Sequence, residues 1–199
     1  YEPEGRTLAR RKDDPIVLTS GQVEIDFDIE TSFDDRVYLW GMWVDDPQGL
    51  LPETTDPNTC YYVHFSSFSD QDDAAEISLA REAISWLDHG VQGGRDCIIV
   101  HYSDYEITHL RHFGTVASDP HMAASVVRLL QSGCFTDLFQ TVRRHFLGVH
   151  GIGLKAVAQE GAGVHGRAPE PGGRTSQRCW DEAGPTPDAP GRGRERRRG

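Results

Sequence analysis

No apolar run in this sequence is long enough to cross a membrane, and no signal-like stretch opens it. The expectation is a cytoplasmic chain with no membrane partner. Any Cys-x-x-Cys pair is also missing. Cys60, Cys97, Cys134 and Cys179 lie far apart, which argues against a zinc finger and against a small disulfide framework. Cys97 abuts an apolar run and reads as a buried thiol. His109 and His112 have a spacing that helix-borne metal ligands use, but they read better as helix-surface histidines. Hydrophobic residues are scarce, 37% of 199, so part of the chain is expected to stay out of a core. The first residue is Tyr1 rather than Met, and the chain reads as a piece of something longer.

Positive charge is scarce over most of the length. Residues 1–160 carry 26 Asp and Glu against 12 Lys and Arg, a net of −14, whereas 161–199 carry 5 against 8, a net of +3. So acidic a body repels nucleic acid over most of its surface. Any such contact must be local.

Residues 1–20 are polar and mixed, with Arg10-Arg11-Lys12-Asp13-Asp14-Pro15, and read as a linker entering the domain. The domain is expected over 21–160. Strands are predicted at about 22–31, at Val37–Val44 and at Cys60–Phe65, joined by Asp-, Pro- and Gly-rich turns into an antiparallel meander. From Asp72 to His89 the apolar residues Ile77, Ala80, Ala83, Ile84 and Leu87 change to helical spacing, with Ser69-Asp70 as the expected cap. Cys97–Val100 is a short apolar run that suits a buried central strand. Helices are predicted at about Glu106–Phe113, Pro120–Gln131 and 135–147. That order suits an α/β sandwich with a mixed sheet, three antiparallel strands plus a central parallel one, flanked by helices. From 161 to 199 there are 9 Gly and 5 Pro and no periodicity, and this tail is expected to be disordered.

The chain is organised around Val23-Glu-Ile-Asp-Phe-Asp-Ile-Glu-Thr-Ser32. A strand turns alternate residues to opposite faces, so Ile25, Phe27 and Ile29 share one face and Asp26, Asp28 and Glu30 the other. Carboxylates on one face stand roughly 6.5–7 Å apart. Without cations between them, repulsion favours protonation of at least one. Half of a site for hard divalent cations is the sharper reading, and a solvated strand face in an acidic chain is the plainer one.

Phe27-Asp-Ile-Glu-Thr31 resembles the first motif of the DEDD-type 3′–5′ exonucleases of the ribonuclease H-like superfamily. His101-Tyr-Ser-Asp-Tyr105-Glu106, just after the apolar run, resembles their second motif in a substituted form similar to the YprB-like branch of RecB-like nucleases. The resemblance covers about residues 22–158 and implies a ribonuclease H-like fold. It makes Asp28, Glu30 and Glu106 the catalytic metal ligands, with Asp26 a supporting acid, for a two-ion Mg2+ or Mn2+ site. It implies a single-stranded nucleic-acid end as partner and an upstream nuclease or helicase domain in the full-length protein. Gly151-Ile-Gly-Leu-Lys155 resembles the family's Ser-Leu-Lys segment, which makes Lys155 a phosphate contact, with a plain exposed helix lysine as the alternative. Arg143, Arg144, Tyr105 and His101 are further nucleic-acid candidates, and Asp137 a structural or capping acid. The family's third motif, a late Tyr-x-x-x-Asp helix, has no counterpart in 161–199.

Two ions held by carboxylates can activate water, stabilise the phosphorus centre and help an alkoxide leave. With the last acid absent, the expectation is a metal-dependent nuclease domain that is impaired. The alternative is a non-catalytic ribonuclease H-like module that binds nucleic acid or protein. An acidic structural protein is a third reading. Glu106 also suits a plain helix N-terminus, where a negative charge complements the dipole.

Overall fold

The computed structural model describes residues 8–11, 14–69, 71–92, 95–116, 118–149 and 151–161, the side chains of 159–161 excepted. Residues 162–199 lie outside them, and so does the expectation of a disordered tail. The chain divides into two units, one of 18–138 and the other of 8–17 with 139–161 within the described residues.

The alternation in the acidic stretch fixes the larger unit. Strand β2 (Val23–Thr31) buries Val23, Ile25, Phe27 and Ile29 and leaves Asp26 and Asp28 exposed. It pairs antiparallel with β3 (Val37–Asp45), which pairs antiparallel with β4 (Tyr61–Ser66). On its other edge β2 pairs parallel with β5 (Cys97–His101), and β5 parallel with β6 (Phe135–Asp137). The result is a five-stranded mixed sheet in the order β4-β3-β2-β5-β6.

Three helices supply the apolar partner for one sheet face. Helix α1 (Asp73–Val91) buries Ala80, Ala83, Ile84 and Leu87 and packs on β3 and β4. Asp72, rather than Ser69, caps it by accepting from the Ala75 N–H at 2.8 Å, and Asp70 lies outside the described residues. Helix α2 (Tyr105–Val116) brings Leu110 and Phe113 against the sheet, and α3 (Pro120–Gln131) adds Met122, Val126 and Leu129. Phe27, Trp40 and Phe113 form an aromatic chain through this core, with ring centroids 5.9 and 5.6 Å apart. Buried Asp88 on α1 accepts from Ser125 at 2.8 Å and from the Arg128 guanidinium, both on α3. The architecture is α/β, with helices flanking a mixed sheet.

The helix expected over 135–147 is corrected. Phe135–Asp137 forms an edge strand instead, because the aromatic and β-branched pair Phe135-Thr136 can serve the open edge of β5. Helix α4 spans only Leu138–His145, and Phe146–Gly148 is strand β7. In the smaller unit β7 pairs antiparallel with β1 (Leu8–Arg10), a strand inside the stretch read as a linker. Helix α5 (Leu154–Gly161) packs on β1.

Candidate acidic site

Asp26, Asp28 and Glu30 lie along the sheet face opposite the buried one. Asp28 pairs with Gly41 across β3, and Gly41 pairs with His64 of β4. A Cβ at Gly41 would stand 2.4 Å from the Tyr62 hydroxyl, so the missing side chain lets Tyr62 lean over β3 toward Asp28. Tyr62 stacks on His64 at 5.5 Å and tilts against Trp43 at 6.5 Å. Burial pushes the Tyr62 phenol up, and the negative charges of Asp28 and Glu30 push it further. It therefore stays protonated and can donate a hydrogen bond at this face.

The second arm comes from the end of β5. His101 is buried, and its Nδ1–H donates to the Ser103 carbonyl at 2.6 Å. Ser103 has φ +75°, a left-handed conformation that turns the chain into α2. Its N–H donates to Asp137 Oδ1 at 2.9 Å, which ties that turn to β6. Tyr105 and Thr31 share a hydroxyl–hydroxyl bond of 2.7 Å, joining the start of α2 to the end of β2.

Glu106 follows in the first turn of α2 and is only 4% exposed. Its Oε2 is buried without a hydrogen-bond partner. Burial raises its pKa to about 7, helped by the negative charges of Asp28 and Asp137 and opposed by a backbone N–H. Asp28 keeps an edge toward solvent, yet the protein around it removes enough water to raise its carboxyl, which the Ile29 N–H partly offsets. Asp26 is raised as well, by burial and then by Glu24. A buried carboxylate with an unmet oxygen is costly in a purely structural role and common at functional sites.

The donor chemistry fits a hard cation, because Asp28 and Glu106 both offer oxygens, Glu106 lies in the field of Asp28, and its Oε2 is orphaned. The fit extends to two carboxylates. Among the described residues, no group of three or more His, Cys, Asp or Glu side chains is arranged to hold a metal ion.

The structure thus sets Glu106 in the field of Asp28, while Glu30 shares the strand face of Asp28 and acts with it on Tyr62, with Asp26 farther back along β2. His101 is turned inward rather than presented to a ligand. Tyr105 remains exposed. Arg143, Arg144 and Lys155 are exposed on α4 and α5, in the smaller unit. Asp137, read as a structural or capping acid, braces the Ser103 turn and also acts on Glu106. One residue escaped the sequence reading: Tyr62 reaches the acidic strand only through the register of β3 and β4, and no local motif marks it.

Among the described residues, no helix is long and apolar enough to cross a membrane. Comparisons with protein-family models, curated proteins and solved structures find no match to this chain.

Proposed function

We propose that residues 18–138 form a ribonuclease H-like domain that hydrolyses phosphodiester bonds of nucleic acid with a divalent cation, as a slow 3′–5′ exonuclease. The observation that carries the reading is Glu106 Oε2, a buried carboxylate oxygen without a partner in the field of Asp28. The sheet order, three antiparallel strands followed by two parallel ones, is compatible with such a fold.

Asp28 and Glu106 would hold the cation, with Glu30 and Asp26 adding negative charge. A bound Mg2+ or Mn2+ would act as a Lewis acid on the scissile phosphate and stabilise the charge developing there. Glu106, with a pKa of about 7, exchanges its proton near neutrality and suits a group that must be ionised only when the cation arrives. The Tyr62 hydroxyl, kept protonated, supplies a hydrogen-bond donor beside Asp28. Two carboxylates rather than a closed set of ligands imply weak metal binding and slow turnover.

A second reading is a non-catalytic module that binds nucleic acid. It is favoured by the absence of a three-ligand group among the described residues. Manganese calorimetry and single-turnover cleavage of 3′-labelled oligonucleotides separate the two. Under the nuclease reading, Asp28→Asn and Glu106→Gln each remove both the binding heat and the cleavage. Nucleic-acid binding without metal-stimulated cleavage in the parent chain selects the module.

A further inference from the structure

Within residues 8–161, basic residues are densest in the smaller unit. Residues 18–138 contain 21 Asp and Glu against 5 Arg and no Lys, so a polyanion meets repulsion over that unit. Residues 8–17 and 139–161 together contain 6 Lys and Arg against 3 Asp and Glu. Within this unit the fold joins two arginine pairs that the sequence holds far apart.

Pairing of β1 with β7 sets Arg10 opposite Phe146, one residue beyond the end of α4. The Arg11 N–H donates to the His145 carbonyl at 2.7 Å. Its guanidinium Nη1 donates to the Arg143 carbonyl at 3.1 Å, across a separation of 132 residues. The Arg10 guanidinium donates to the Asp14 carbonyl. Arg10, Arg11, Arg143 and Arg144 are all exposed. Among the described residues none of the four is paired with a carboxylate. Exposed guanidiniums on paired stretches of backbone, with no carboxylate partner among the described residues, are open to an anion.

We infer that Arg10, Arg11, Arg143 and Arg144 form a track for the phosphodiester backbone of single-stranded nucleic acid. The inference rests on the nuclease reading for its choice of polyanion. Arginine at all four positions matters, because the planar fork meets two phosphate oxygens at once, which an ammonium cannot. Carbonyl bonds already restrain the Arg10 and Arg11 guanidiniums, which lowers the ordering loss on binding. An anionic membrane would be met as well by mobile lysines with no set geometry. Contacts of this kind position a strand without reading its bases. Arg143 and Arg144 stand out in the sequence, whereas their partners lie in a stretch that reads as a linker.

The test uses the full chain in EDTA, so that binding is measured without metal or cleavage. Anisotropy of a labelled oligothymidylate gives affinity across a salt series for the parent, Arg10→Ala/Arg11→Ala and Arg143→Ala/Arg144→Ala. Each pair of lost phosphate contacts is expected to lower the slope of log affinity against log salt by about 1.4, from roughly 0.7 per contact. Arg→Lys at the same positions should keep the slope and lose part of the affinity, and it replaces the alanine variants if they fail to fold. Parental slopes in the alanine variants, or parental affinity in the lysine variants, overturn the track, even if metal-dependent cleavage persists. Binding of the parent to phosphatidylglycerol vesicles but not to the oligonucleotide overturns it too. A lowered slope with no metal-stimulated cleavage keeps the track and removes the nuclease reading.

Discussion

Glu106 Oε2 lies 3.8 Å from His101 Nδ1, and both side chains are only 5% exposed. That spacing is too long for a hydrogen bond. The imidazole is already committed, since Nδ1 donates to the Ser103 carbonyl at 2.6 Å. Glu106 therefore faces a polar neighbour that cannot satisfy it, with Asp28 and Asp137 adding repulsion. The carboxyl answers by holding its proton.

This has a sign for stability. The folded-state pKa of Glu106, about 7, lies above the ordinary 4.5, so its contribution is fully present below about pH 4.5 and lost as pH rises toward and past 7. Glu106→Gln keeps the shape without the charge. Urea unfolding should show the variant more stable than the parent at pH 8 by on the order of 3 kcal/mol, with the gap closing near pH 5. A gap independent of pH would rule out this account of Glu106.

Asp137 and Glu106 should be separable by charge alone. Asp137→Asn retains an oxygen to accept from the Ser103 N–H but removes a negative charge acting on Glu106. The Glu106 carboxyl resonance, followed by NMR across pH, should then titrate at lower pH than in the parent. An unchanged midpoint would mean that burial and Asp28 set the shift without Asp137.

Metal binding should release protons around neutrality. A cation held by Asp28 and Glu106 must displace the Glu106 proton, so manganese affinity should rise with pH up to about 7 and level off above it. Calorimetry in buffers of different ionisation enthalpy reads the released proton directly. Affinity that does not change between pH 6 and 8 would move the site away from Glu106.

Gly41 is predicted to be irreplaceable while Tyr62 keeps its hydroxyl. An alanine methyl would stand 2.4 Å from that oxygen and 3.3 Å from Tyr62 Cζ. Gly41→Ala should cost about 1–3 kcal/mol, as overpacking does. Tyr62→Phe should recover much of that loss, with a coupling on the order of 1 kcal/mol in a double-mutant cycle. Additive effects of the two substitutions would show that the ring does not lie over β3.

Much of the larger unit was legible because it follows from local periodicity. The alternation over Val23–Thr31, the apolar run at Cys97 and the helical spacing of Ile77, Ala80, Ala83, Ile84 and Leu87 each specify an element by the face that must be buried. The residues after Cys134 were misread because Leu138, Val142 and Phe146 carry a helical stripe. The free edge of β5, invisible in sequence, draws Phe135 and Thr136 into the sheet instead. Leu8–Arg10 likewise has no strand signal of its own and extends only because Phe146–Gly148 lies beside it.

The sequence by itself determined which face of β2 carries Asp26, Asp28 and Glu30, since side-chain alternation is a property of the strand alone. It also marked Glu106 as an acid opening a helix after a buried strand. Only the tertiary structure decided that Glu106 Oε2 is left without a partner, that Asp137 bears on it, and that Tyr62 leans over Gly41. Each depends on register and burial between segments far apart in the chain, and a carboxyl's pKa is set by what surrounds it rather than by its neighbours in sequence.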